Sequence, residues 1–134
     1  MIKKLVGFLT VLCMAFFIAG CSSTPDVSGT YLYSNKESNT PIATIILKKV
    51  NDTAYDYSYF VINRHTGKME QEETKRMTLN TEKKALEENS MIPSTLFFNE
   101  NYNSLKEVHS SKNIEYIYNK LSDSEIKQYQ HLFE

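Results

Sequence analysis

The stretch Ala54-Tyr55-Asp56-Tyr57-Ser58-Tyr59-Phe60-Val61-Ile62-Asn63 decides the fold. Tyr55, Tyr57, Tyr59 and Val61 fall on one face, and Asp56, Ser58, Phe60 and Ile62 on the other. That period of two is what a strand imposes, because successive Cβ atoms point to opposite sides of a sheet. Tyrosine and β-branched residues suit such a pleated, half-buried setting. Asp56 and Ser58 interrupt the second face, so the tyrosine face is expected to be buried more deeply. Tyr57, its midpoint, is expected to point inward.

Strand signals continue on both sides. Upstream, Asn51-Asp52-Thr53 reads as a turn, and Pro41 introduces a β-branched run, Ile42 to Val50, that is apolar on both faces until Lys48. Before it, Gly29-Thr30-Tyr31-Leu32-Tyr33 alternates, with Tyr31 and Tyr33 on one side. Downstream, Asn63 to Lys68 reads as a hairpin loop in which Gly67 supplies φ > 0. Met69 to Leu79 is the expected return strand, polar in its middle. Over 80–89 the pattern is ambiguous. Glu82, Lys83, Lys84, Ala85, Leu86, Glu87 and Glu88 are helix formers, while the neighbouring meander favours another strand. Pro93 ends that passage. Thr95 to Phe98 and Ser104 to Val108 flank an Asn-rich loop at 99–103. His109 to Asn113 is a further turn, and Ile114, Tyr116 and Tyr118 align on a final strand.

The period then changes. Ser122-Asp123-Ser124-Glu125 is a capping box, and Ile126, Tyr129 and Phe133 follow at helical spacing. The expected fold is mainly β, an antiparallel meander forming a small barrel or sandwich with a short C-terminal helix. Gly29-Thr30-Tyr31 resembles the Gly-x-Trp opening of lipocalin-like barrels, with tyrosine in place of tryptophan and no second lipocalin motif. The resemblance implies a barrel and no particular ligand.

Residues 1–20 have a different character. Lys3 and Lys4 give a positive start, Leu5 to Ala19 is apolar, and Gly20 precedes Cys21. An apolar run this short falls below the ~20 residues that a permanent membrane-spanning helix needs, and suits a cleaved export signal. Ile18-Ala19-Gly20-Cys21 resembles the lipobox of bacterial lipoproteins: aliphatic, small, small, cysteine. The resemblance implies cleavage before Cys21, covalent diacylglycerol on its sulfur and a further acyl chain, palmitate in type, on its new amino group. Two such chains anchor a protein stably where one does not. Ser22 stands where aspartate would signal inner-membrane retention. The resemblance therefore implies an outer-membrane position in a host with two membranes, and otherwise the outer face of the cytoplasmic membrane. The organisation expected is a signal at 1–20, a lipidated cysteine and short linker at 21–28, and one β-rich domain at 29–134. Seven residues after the cysteine reach roughly 25 Å when extended.

Composition limits the chemistry. The chain carries 15 Lys+Arg against 16 Asp+Glu; without Lys3 and Lys4 the balance is 13 against 16, a net −3. A nucleic-acid partner needs a basic face, and none is visible. Cys13 leaves with the signal and Cys21 is blocked by lipid. The domain is thus expected to fold as a monomer without disulfide, zinc–thiolate site or cysteine nucleophile. His65, His109 and His131 lack any His-x-x-x-His or His-x-Glu spacing and read as exposed. Glu70, Glu72 and Glu73 read as a solvated strand face rather than a calcium loop. No Gly-x-Ser-x-Gly elbow and no glycine-rich phosphate loop is present, so neither catalysis, cofactor nor metal is expected.

The tyrosines remain. Tyr31, Tyr33, Tyr55, Tyr57, Tyr59, Tyr116 and Tyr118 all sit at alternating strand positions, either as core or as an aromatic wall for binding. Two functions follow. One is a tethered module that binds an envelope or incoming protein, as inhibitor, immunity factor or accessory. The other is a lipocalin-like binder of a small apolar or glycan ligand. A deep pocket lined by tyrosines favours the ligand; a filled core favours the protein partner.

Overall fold

The computed structural model describes residues 24–88, 95–109 and 114–134, the side chains of His109 and Ile114 excepted. The expected signal and lipobox, Pro93 and most of the turn read at 109–113 lie outside the described residues. Eight antiparallel strands follow in chain order: β1 (Gly29–Ser34), β2 (Pro41–Lys49), β3 (Ala54–Asn63), β4 (Lys68–Asn80), β5 (Ala85–Glu88), β6 (Thr95–Phe98), β7 (Ser104–His109) and β8 (Ile114–Lys120). Each pairs with the next, and β8 returns to β1 through Tyr31↔Lys120 and Leu32↔Asn119. The sheet is a closed barrel, which removes the free edges a meander would otherwise present.

Asparagine sets the described turns. Oδ1 of Asn35, Asn51, Asn63, Asn80 and Asn99 accepts from backbone N–H groups two to five residues on, closing the connections after β1, β2, β3, β4 and β6. A short amide side chain mimics the missing backbone acceptor and bends the chain without a ladder bond. This decides the ambiguous segment: Asn80 wraps a tight turn at 81–84, and Ala85–Glu88 pairs with both β4 and β6 as a strand. Helix propensity there yields to the two flanking ladders. Gly67 has φ 70°, as the loop requires.

Two apolar layers result. Inside, Tyr31, Ile45, Leu47, Tyr55, Tyr57, Met77, Leu79, Leu86, Leu96, Phe98, Leu105 and Tyr118 are buried together. Outside, Leu32, Thr44 and Phe60 lie side by side across β1, β2 and β3. The helix α1 (Asp123–Tyr129) and a 3₁₀ turn (Gln130–Phe133) lie against this outer layer. The Phe133 ring meets Phe60 edge to face at 5.3 Å, and Lys68 Nζ donates to the His131 carbonyl at 2.7 Å. The capping box forms as the sequence suggests: Ser122 Oγ accepts from the Glu125 N–H, and the Glu125 carboxylate accepts from the Ser122 N–H.

Met69 belongs to the outer layer because of a bulge. On β4, Glu73 faces Tyr59 but Gln71 faces Phe60, leaving Glu72 as an extra residue. One inserted residue reverses the side-chain parity beyond it. Lys75, Met77 and Leu79 therefore share the inner face, whereas Met69 turns outward, where its sulfur accepts from Thr44 Oγ1 at 3.8 Å.

Candidate functional site

The tyrosines singled out by alternation converge inside the barrel. Tyr31, Tyr55, Tyr57 and Tyr118 are buried, and Tyr33, Tyr59 and Tyr116 are half-buried against them. Tyr57, the midpoint of the β3 stripe, is 5% exposed. The aromatic wall is thus an interior one, and no tyrosine of the set lies on an exposed sheet face.

Two halves of the barrel differ in chemistry. At one end the chain before β1 forms a strap. Val27 is fully buried, its N–H donates to the Tyr55 hydroxyl at 3.1 Å, and its carbonyl accepts from the Tyr31 hydroxyl at 2.7 Å. The Tyr55 hydroxyl also lies 3.4 Å from the Pro25 carbonyl. Residues 25–28, expected as linker, are therefore held on the barrel, and they seal an end lined by Leu47, Met77 and Leu79. Two buried phenols satisfy two buried backbone groups, which would otherwise cost about 1–3 kcal/mol each.

Toward the other end the interior becomes polar. Lys75, opposite Tyr57 in the β3–β4 register, places its ammonium 4.9 Å from that ring centroid. The same ammonium pairs with Glu73 at 3.3 Å and Glu88 at 3.2 Å, with only 13% of its side chain exposed. Across the barrel the Tyr118 hydroxyl donates to Glu107 at 3.4 Å. The Tyr33 ring packs on Tyr116 at 5.3 Å and Tyr118 at 5.7 Å. Burial, reinforced by neighbouring carboxylates, raises the hydroxyl pKa of Tyr57 above the usual phenol value. Burial first, then the charges of Tyr59 and Glu107, does the same at Tyr118. Both hydroxyls are neutral at physiological pH.

Lys75, Glu88 and Glu107 did not stand out as site residues in the sequence, although the signal was there. Each is two residues from an inward aliphatic: Lys75 before Met77, Glu88 after Leu86, Glu107 after Leu105. A charge on the apolar side of an alternating strand marks an interior ion pair. Glu70, Glu72 and Glu73 are exposed, as are His65 and His131. Among the described residues no group of three or more His, Cys, Asp or Glu is placed to hold a metal ion.

The outer face has its own feature. Phe97, Lys106 and Ile117 form one row across β6, β7 and β8, and Val108 and Glu115 form the next. Phe97, Val108 and Ile117 are exposed, with Lys106 paired to Glu115 at 3.7 Å between them. Ile117 also lines a groove of about 700 Å³ that runs to Leu121 and Tyr129 beside α1. No family model matches this sequence, and neither a curated protein nor a solved structure matches it.

Proposed function

We propose that the chain is a lipid-anchored protein of the bacterial cell envelope, held through Cys21, whose barrel is a non-catalytic module that binds another protein. The partner is an envelope component or an incoming protein, met in the manner of an inhibitor, immunity or accessory factor. The observation that carries this reading is the filled barrel. Tyr31, Tyr55 and Tyr118 are among the largest fully buried side chains, and Tyr57 with the Lys75–Glu88 pair occupies the space beyond them. A lipocalin-like carrier needs that space for its cargo. The adjacent exposed residues Phe97, Val108 and Ile117 supply apolar contact on the outside, rimmed by Lys106 and Glu115, the arrangement a protein interface uses.

A photo-crosslinking residue at Phe97 or Ile117, in cells carrying the native lipoprotein, tests the reading. The expected result is one discrete adduct from either position and none from the exposed Thr74 on β4. Absence of an adduct at both positions, with a small molecule co-purifying with the native protein by mass spectrometry, supports the ligand-carrier alternative instead. The anchor is tested separately. Cys21→Ser is expected to leave an uncleaved, unlipidated precursor, and a mature N-terminus other than acylated Cys21 refutes the anchor.

A further inference from the structure

We infer that the strap-sealed end of the barrel is a membrane-docking face, held flat against the lipid surface by the same segment that carries the anchor. The inference rests on the lipid-anchor reading and goes beyond it, from where the protein is attached to which way it points.

The geometry supplies the constraint. With Pro25 to Val27 bound into the barrel, only the steps from Cys21 to Pro25 remain as tether, about 14 Å at full extension. An unbound linker running to Gly29 would double that reach. The ten residues of β3 span the barrel; tilted as barrel strands are, they give a height of roughly 25 Å. The tether is therefore shorter than the barrel is tall. An acylated Cys21 can bring the strap end to the headgroups, but it cannot turn the opposite end toward them.

The turns at this end are those after β2, β4 and β6, because β1 leaves it and alternate strands return to it. They are short, and their backbone groups are closed by Asn51, Asn80 and Asn99, so no loose loop separates the barrel from the surface. Val50, on the turn after β2, is 45% exposed and is the large apolar side chain best placed to enter the interface. Lys48, Lys83, Asp52, Glu82 and Glu100 share this end and are exposed. Their opposed signs give no strong attraction to anionic lipid. The acyl chains hold the protein at the membrane, and the strap sets its orientation.

Fluorescent labels report the orientation directly. Native acylated protein carrying Val50→Cys or Arg64→Cys would be labelled and placed in phosphatidylethanolamine–phosphatidylglycerol vesicles containing a headgroup-bound quencher. Labelling is selective, because the only other cysteine of the mature chain is Cys21, whose sulfur is in a thioether. Arg64 lies on the turn after β3, at the opposite end. Severalfold stronger quenching at position 50 is expected. Equal quenching, or stronger quenching at 64, overturns the inference. Mass spectrometry of the N-terminal peptide from the same samples separates the two levels: missing lipid overturns the anchor reading, whereas lipid with equal quenching overturns the orientation alone. Val27→Asp, which drives the strap out of the barrel, is expected to even out the quenching while the β-type circular dichroism persists. If that variant does not fold, Tyr31→Phe with Tyr55→Phe, which removes both strap hydrogen bonds and keeps the rings, is read in its place. A preserved difference in the folded variant overturns the role of the strap.

Discussion

Tyr57→Ala is the substitution that tests the interior assignment most directly. The ring is buried, lies beside Leu47 and Lys75 in the β2 and β4 registers, and supports the Lys75 ammonium 4.9 Å from its centroid. Truncating a buried aromatic side chain costs about 3–5 kcal/mol, from lost transfer energy plus the cavity left behind. Loss of the cation–π contact adds about 0.5–2 kcal/mol, the upper end applying where the ammonium is desolvated. Against a total stability of roughly 5–15 kcal/mol for a domain, this is about a quarter or more. At about 4 °C per kcal/mol for a domain of this size, the combined loss should lower the melting temperature by about 14–28 °C. Tyr57→Phe keeps the ring and should cost no more than about 1 kcal/mol. The assay is a thermal melt and a urea titration of the soluble domain from Thr24 onward, followed by far-UV circular dichroism. A second measurement isolates the ring–ammonium term: a cycle with Lys75→Met should give a coupling of about 0.5–2 kcal/mol. A Tyr57→Ala melt within about 2 °C of the parent would refute the burial argument and return the stripe to a recognition surface.

Three further outcomes are expected. Burial first, and then nearby charge, raises the pKa of Tyr31, Tyr57 and Tyr118 above that of an unfolded tyrosine. The stability they contribute is complete below about pH 10, the unfolded value, and is lost as the pH rises toward the folded values. Absorbance at 295 nm should therefore show these phenols ionising together with a cooperative alkaline unfolding; smooth, non-cooperative titration near pH 10 would contradict burial. Ser122→Ala removes the N-cap of α1 and should cost about 0.5–1.5 kcal/mol, seen as faster amide exchange on β2 and β3 under the helix; unchanged exchange would show that the helix does not protect that layer. Lys84 has φ 50°, a conformation costly for a side-chain-bearing residue. Lys84→Gly should raise stability by about 0.5–1 kcal/mol, despite losing the ammonium's contact with the Tyr102 ring at 5.7 Å and its hydrogen bond to the Glu100 carbonyl at 3.4 Å, and a lower melting temperature would show those contacts to matter more than the backbone.

Most of the fold is legible because alternation is local. The β3 stripe, the Gly67 turn and the capping box each depend on residues within a few positions of one another, and each appears where expected. The segment at 80–89 was not legible from propensity, since Glu, Lys, Ala and Leu favour a helix when nothing flanks them. The Asx turn at Asn80 was the better signal, and the same residue type opens the other described turns. Met69 misleads by parity: it is an even number of residues from Met77 and Leu79, yet the bulge at Glu72 sends it to the opposite face. No local pattern announces that bulge, because it reflects how β4 must curve around both the barrel and the C-terminal layer. The division of β1–β4 into inner and outer apolar layers was visible only as a run, Ile42 to Val50, apolar on both faces. Such a run needs two covers, and the second is the C-terminal segment.

The interior charges follow from the same construction. Lys75 with Glu73 and Glu88 would be costly at the strap end, where Val27 and the Tyr31 and Tyr55 rings exclude water and desolvation outweighs pairing. They sit instead in the half where Tyr33, Tyr59 and Tyr116 remain partly exposed, so the carboxylates keep some hydration while the ammonium gains two partners and an aromatic face. The barrel is therefore apolar and sealed at the strap end and polar toward the other. Under the proposed lipid anchor at Cys21, that order is the one physics favours. The reverse order would bring the interior ion pairs against the headgroups and expose the greasy seal to water. Exchanging the ends by substitution, with Lys75→Leu and Leu79→Lys, should abolish folding rather than invert the protein, because the strap fixes which end can be dry.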